Sequence, residues 1–191
     1  SGPSTTTFRF GRSDAGTSAT LVDFPHLRQC SLYLPAITDM TYLMQWLVSL
    51  RVISRWVVGT GLTNATGAFY YCTSLQSLPS GMTLAAATNA SYAFYYCASL
   101  RSLPSGMTLA SVTSANSAFR NCASLQSLPS GMTLAAATTL IEAFRNCTSL
   151  QSLPSGMTLA ACTTTSNAFN GCLSLQAADG LAIPESFSIA S

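Results

Sequence analysis

A nine-residue phrase, SLPSGMTLA, occurs letter for letter at 77–85, 102–110, 127–135 and 152–160, always 25 residues apart. A period of that size governs everything else, because one unit is too small to bury its own apolar side and must be covered by the next. Five units run in register, 63–87, 88–112, 113–137, 138–162 and 163–187. A divergent sixth fits at 38–62 without insertion, where TDMTYLMQWLVSL aligns with TNATGAFYYCTSL. The chain divides into an N-terminal tail and cap (1–37), a solenoid (38–187) and a C-terminal tail (188–191).

Within 88–112, Ala90, Ala93, Phe94 and Cys97 fall at i, i+3, i+4 and i+7, the apolar stripe of a short helix. Thr88 stands ahead of it as the expected N-cap. Leu100 and Leu103 then point inward from a short extended stretch closed by Pro104, SG turns the chain, and Met107 and Leu109 alternate with Thr108 as a second short strand. The fold class expected is an α/β repeat solenoid of stacked coils, each with one or two short strands and a short helix. Six coils at about 4.8 Å per strand spacing span about 30 Å. The final unit loses LPSGM to AADGL and ends IPESFSIAS, so it either caps the stack or stops short of a cap.

The phrase AFxxCxSLxSLP, seen as AFYYCTSLQSLP and AFRNCASLQSLP, resembles the BspA-like leucine-rich repeat of bacterial surface proteins. ITDMTYLMQWLVSL is similar to the related VTDMxxMFxxC surface repeat. The resemblance covers about 38–187. It implies a solenoid on a secreted or surface-displayed protein, an adhesin or a phage-like tail-fibre tip, that binds rather than catalyses. The unit departs from that pattern in its 25-residue length and in MTLAAAT, which replaces a valine- and isoleucine-rich segment.

Charge narrows the partners. Only 7% of residues are charged and all eight basic ones are Arg, with a net charge of +2, so no basic patch can neutralise a run of phosphates. Nucleic acid is not an expected partner. Membrane insertion is not expected either, because the most apolar segment, 42–59, is broken by Gln45, Ser49, Arg51, Ser54 and Arg55. The opening SGPSTTTF has no basic n-region or apolar h-region, and no signal peptide is read there.

Catalytic and metal chemistry find little support. Cys72, Cys97, Cys122, Cys147 and Cys172 recur every 25 residues, as expected of one small buried position per coil. No CxxC pair offers metal-ligand spacing, and no cofactor is expected. His26, the sole histidine, lies near Asp23 and Cys30, but that spacing suits a cap core equally well, so no enzyme is expected.

The sharper signal is the variation. On the stripe's outward side one column runs Trp46, Tyr71, Tyr96, Asn121, Asn146, Gly171. Its neighbours run Gln45, Tyr70, Tyr95, Arg120, Arg145, Asn170 and Tyr42, Gly67, Tyr92, Ser117, Glu142, Asn167. Unconstrained drift on a helix favours Lys, Glu, Gln and Ala; Tyr, Trp, Arg and Asn are residues of interfaces. The candidate ligand-binding residues are therefore Tyr42, Trp46, Tyr70, Tyr71, Tyr92, Tyr95, Tyr96, Arg120, Asn121, Arg145 and Asn146. The expected partner is a cell-surface glycan or protein. The alternative is a structural fibre segment whose aromatic strip packs on sister subunits, a trimer if the chain is a fibre tip. The Gln76, Arg101, Gln126, Gln151, Gln176 column, with its flanking serines, is expected to form side-chain hydrogen-bond ladders.

Overall fold

The computed structural model describes residues 6–9, 26–155 and 157–176. Three parallel strands open the stack: β1 (Thr6–Arg9), β2 (Gln29–Leu34) and β3 (Val52–Val58), in the order β1-β2-β3. Phe8 pairs with Leu32 and Leu32 with Trp56, so the sheet continues coil on coil. VISRWVV is β-branched and aromatic and sustains a seven-residue strand. The equivalent SLPSGMT does not, because Pro79 has no N–H to give. From there the strand shrinks to single parallel bridges, Val52 to Ser77, Ser102 to Ser127 and Ser127 to Ser152. The second strand expected around Met107 and Leu109 does not form, although both side chains are buried.

The expected helix is absent: no helix occurs among the described residues. Its place is taken by consecutive tight turns. Ala68, Tyr70 and Cys72 each donate N–H to the carbonyl three residues back, at 3.1, 2.9 and 3.1 Å. The alternate N–H groups of Ala65, Gly67, Phe69 and Tyr71 instead cross to Asn89, Ser91, Ala93 and Tyr95 of the next coil, at 2.8–2.9 Å. A helix would keep those donors within its own turn. Two residues per coil must also turn left-handed: φ is 52–62° at Tyr42, Trp46, Tyr71, Tyr92, Tyr96, Ser117, Asn121, Glu142, Asn146 and Asn167, and positive at Gly67 and Gly171. Residue 67 is third in the turn 65–68 and residue 71 third in the turn 69–72, the position where a type II turn needs positive φ.

The stripe residues nonetheless face inward as expected. Ala90, Ala93, Phe94 and Cys97 are all buried. Phe69, Phe94, Phe119, Phe144 and Phe169 stack at 5.2 Å centroid spacing, within 9° of parallel. Trp56 lies tilted on the first of them at 6.2 Å. Each column cysteine is wholly or almost wholly buried, and its thiol donates to a carbonyl of the preceding coil: Cys97 to Phe69, Cys122 to Phe94 and Cys147 to Phe119, at 3.0–3.2 Å.

Thr88 does not cap a helix. Its N–H and its hydroxyl both donate to the Thr63 carbonyl, at 2.8 and 3.2 Å, and Thr63, Thr113, Thr138 and Thr163 repeat the pattern. The turn is opened by the next residue instead: the side chains of Asn64 and Asn89 accept the N–H two positions on. The Gln76 to Gln176 column is joined by backbone bonds of 3.0–3.3 Å, with its side chains exposed and no side-chain hydrogen bond between them among the described residues.

Packing fixes two predictions. Phe119→Ala removes a ring stacked on both sides and should cost about 3–5 kcal/mol, read by denaturant unfolding. A Cβ on Gly59 would lie 2.0 Å from the Pro35 carbonyl oxygen, whereas one on Gly106 meets nothing within 4 Å. Gly59→Ala should therefore lower the melting temperature by several degrees and Gly106→Ala should leave it within a degree or two.

Candidate binding face

The turns place the three variable columns side by side. Every one of the eleven candidate residues lies on the turn segments of successive coils, half-buried or exposed, with Trp46 48% and Tyr92 38% exposed. Two of the three columns are the left-handed positions themselves. That accounts for Asn121, Asn146, Asn167, Gly67 and Gly171, since Asn and Gly accept positive φ most readily. It does not account for Trp46, Tyr71 and Tyr96.

Those rings form two ladders along the axis. Trp46 stacks on Tyr71 at 4.3 Å and Tyr71 on Tyr96 at 4.6 Å; Tyr70 stacks on Tyr95 at 4.9 Å. Tyr42 and Tyr92 close the side of the patch with edge contacts to Tyr70 at 5.6 and 6.4 Å. The Tyr42 ring lies where a Cβ on Gly67 would be, 2.2 Å from it, so glycine here answers both the left-handed turn and the ring above it. The ring planes follow the coil stacking, so Tyr71 has both faces covered and offers only its edge outward.

The ladder changes chemistry at the fourth unit. The Arg120 guanidinium carbon sits 5.6 Å from the centre of the Tyr95 ring, within cation–π range. Glu142 then bridges Arg120 of the preceding coil and Arg145 of its own. Asn146 donates its amide to Asn121 at 2.9 Å. Glu142 was not among the candidates, and the sequence did carry a signal for it: it stands three residues before Arg145 and 22 after Arg120, which stacks the three charges once the period is applied. Burial, then the neighbouring Tyr95 and Tyr71, pushes the Tyr70 hydroxyl above its ordinary value. Burial does the same to Tyr95, with Arg120 opposing it. Both phenols therefore stay protonated at neutral pH.

No group of three or more metal-ligating side chains occurs among the described residues. All seven cysteines are free. Of the His26 cluster, Asp23 lies outside the described residues, and Cys30 is wholly buried with its thiol pushed up to about 12 by burial. No described helix is long and apolar enough to cross a membrane.

Stacked coils with a repeating Leu and Phe interior define a leucine-rich-repeat solenoid. The BspA type leucine rich repeat region matches in six copies over residues 63–176, and the chain belongs to that family. Among solved structures the chain is similar to the leucine rich repeat protein TpLRR of T. pallidum, at 21% identity, 79% coverage of each chain and a TM-score of 0.47. It also matches a leucine rich cell surface protein of Faecalibacterium prausnitzii A2-165, at 17% identity, 84% and 76% coverage and a TM-score of 0.27. No curated protein matches the sequence.

The buried thiols give a pH prediction. Burial holds Cys122 at about 12 and raises Cys72 and Cys97 well above their ordinary value of 9.0. Between about pH 9 and 12 the unfolded chain releases protons that the folded chain keeps, so stability is fully present below pH 9 and falls as pH rises above it. Urea midpoints under reducing conditions should be level from pH 7 to 8.5 and lower at pH 10.5. A thiol reagent at neutral pH should label two thiols before the other five, which react only on unfolding: the half-buried Cys162, and Cys172, which the Cys147 side chain holds below its ordinary value.

Proposed function

We propose that the chain is a surface-displayed binding module, of adhesin or fibre-tip type, that recognises a cell-surface glycan or protein through its turn face. It acts by binding and carries no catalytic chemistry. Its place is outside the cell or on a virion surface, in keeping with the cell-surface description of one structural relative.

The observation that carries this reading is the backbone under the rings. Trp46, Tyr71 and Tyr96 each hold a left-handed conformation that costs a residue other than Gly or Asn about 1–2 kcal/mol. Trp46, Tyr71 and Tyr96 make six ring contacts, two stacked and four tilted or edge-on, and at about 0.5–1.5 kcal/mol each these are comparable with three such costs. Asn and Gly fill the same column in the last three coils without that cost. Ring packing makes aromatic residues tolerable there without requiring them, and strain retained at a surface points to use of that surface.

The test replaces Tyr70, Tyr71, Tyr95 and Tyr96 together by Asn, a residue that the later coils carry in both columns, so that the variant folds. It should keep a cooperative thermal transition and lose at least tenfold in affinity in a glycan and cell-surface binding screen. Equal binding by wild type and folded variant sinks the assignment of this face.

A further inference from the structure

We infer that the turn face docks an acidic polypeptide segment laid along the solenoid axis, with its carboxylates at the Arg120–Arg145 end. This rests on the reading of the face as a binding surface and adds the chemistry of the partner.

Three observations favour a polypeptide over a sugar. A sugar ring packs its C–H groups on the open face of an aromatic ring, and in the middle of the patch these faces are taken: Tyr71 lies between Trp46 and Tyr96, and Tyr95 between Tyr70 and the Arg120 guanidinium. What remains outward is a row of ring edges and phenol hydroxyls, which suits backbone amides and small side chains. The face is also long and already ordered. Five coil steps at 5.2 Å take the Trp46-to-Gly171 column to about 26 Å, the length of about eight extended residues. Rings locked by stacking lose little freedom on binding.

Charge sets the direction. In the last three coils the charged residues of the variable columns are Arg120, Glu142 and Arg145. Two guanidinium groups share one carboxylate there, which leaves one positive charge uncompensated within those columns. The ring-bearing columns of the first three coils hold none. An incoming carboxylate meets a guanidinium pair that Glu142 already holds in place, a fork geometry that carboxylates fit well.

The full chain is panned against a displayed random-peptide library, and wild type, Arg145→Gln and the four-fold Tyr→Asn variant are compared on the enriched peptides, on a glycan array and by sedimentation. The expected result is enrichment of peptides rich in Asp and Glu. These should bind Arg145→Gln and the tyrosine variant at least tenfold more weakly, and wild type more weakly at 500 than at 100 mM salt. No enrichment, enrichment without acidic bias, or equal binding by Arg145→Gln overturns the inference. Glycan binding lost in the tyrosine variant overturns it while leaving the face a binding surface, and self-association lost in that variant assigns the face to a second copy of the chain. If nothing measured depends on the face, this inference and the proposed function fall together.

Discussion

Everything in this solenoid depends on where alternate backbone N–H groups of the turn segment go. Ala65, Gly67, Phe69 and Tyr71 send theirs to the next coil while Ala68, Tyr70 and Cys72 keep theirs at home. That division satisfies the backbone of a buried segment without helix or continuous strand. It is available only if two residues per coil turn left-handed. The Phe and Cys columns follow from it, since coils held in register bring each column thiol onto a carbonyl of the preceding coil, that of Met44 for Cys72 and of Phe69 and Phe94 for Cys97 and Cys122.

The same constraint explains how far the sequence could be read. Period, core positions and the alignment of the three variable columns were all legible, because a strict 25-residue spacing places equivalent side chains one above another whatever the backbone does between them, although Gly67 and Ser117 of the third column are buried. The helix was not. Burial at Ala90, Ala93, Phe94 and Cys97 satisfies a helical stripe and a series of tight turns equally well, and periodicity cannot separate the two. Asn121, Asn146, Asn167, Gly67 and Gly171 were the distinguishing residues, as frequent left-handed formers that recur in two columns. Tyr and Trp in the early coils disguised that signal.

Ring orientation was equally hidden. Exposed aromatic residues in a sequence suggest flat platforms, but coils 5.2 Å apart force rings of one column to stack on each other. Proximity along the axis spends the faces and leaves the edges. The Thr column shows the same economy in polar form, with one carbonyl taking both the N–H and the hydroxyl of the coil that follows. Residues that look decorative in one unit become structural when the unit is repeated.

The narrowing of the sheet gives the rod a mechanical grain. At its N-terminal end β2 and β3 are joined along their whole length; beyond Pro79 the sheet side keeps only single bridges, and the turn and Thr columns carry most of the coil-to-coil bonds. Those bonds run along the axis, so tension on the rod loads them end-on, a few at a time. A pulled chain would pay out one 25-residue coil after another from the thin end, lengthening under load as a ratcheted tether while its three-stranded base stayed whole.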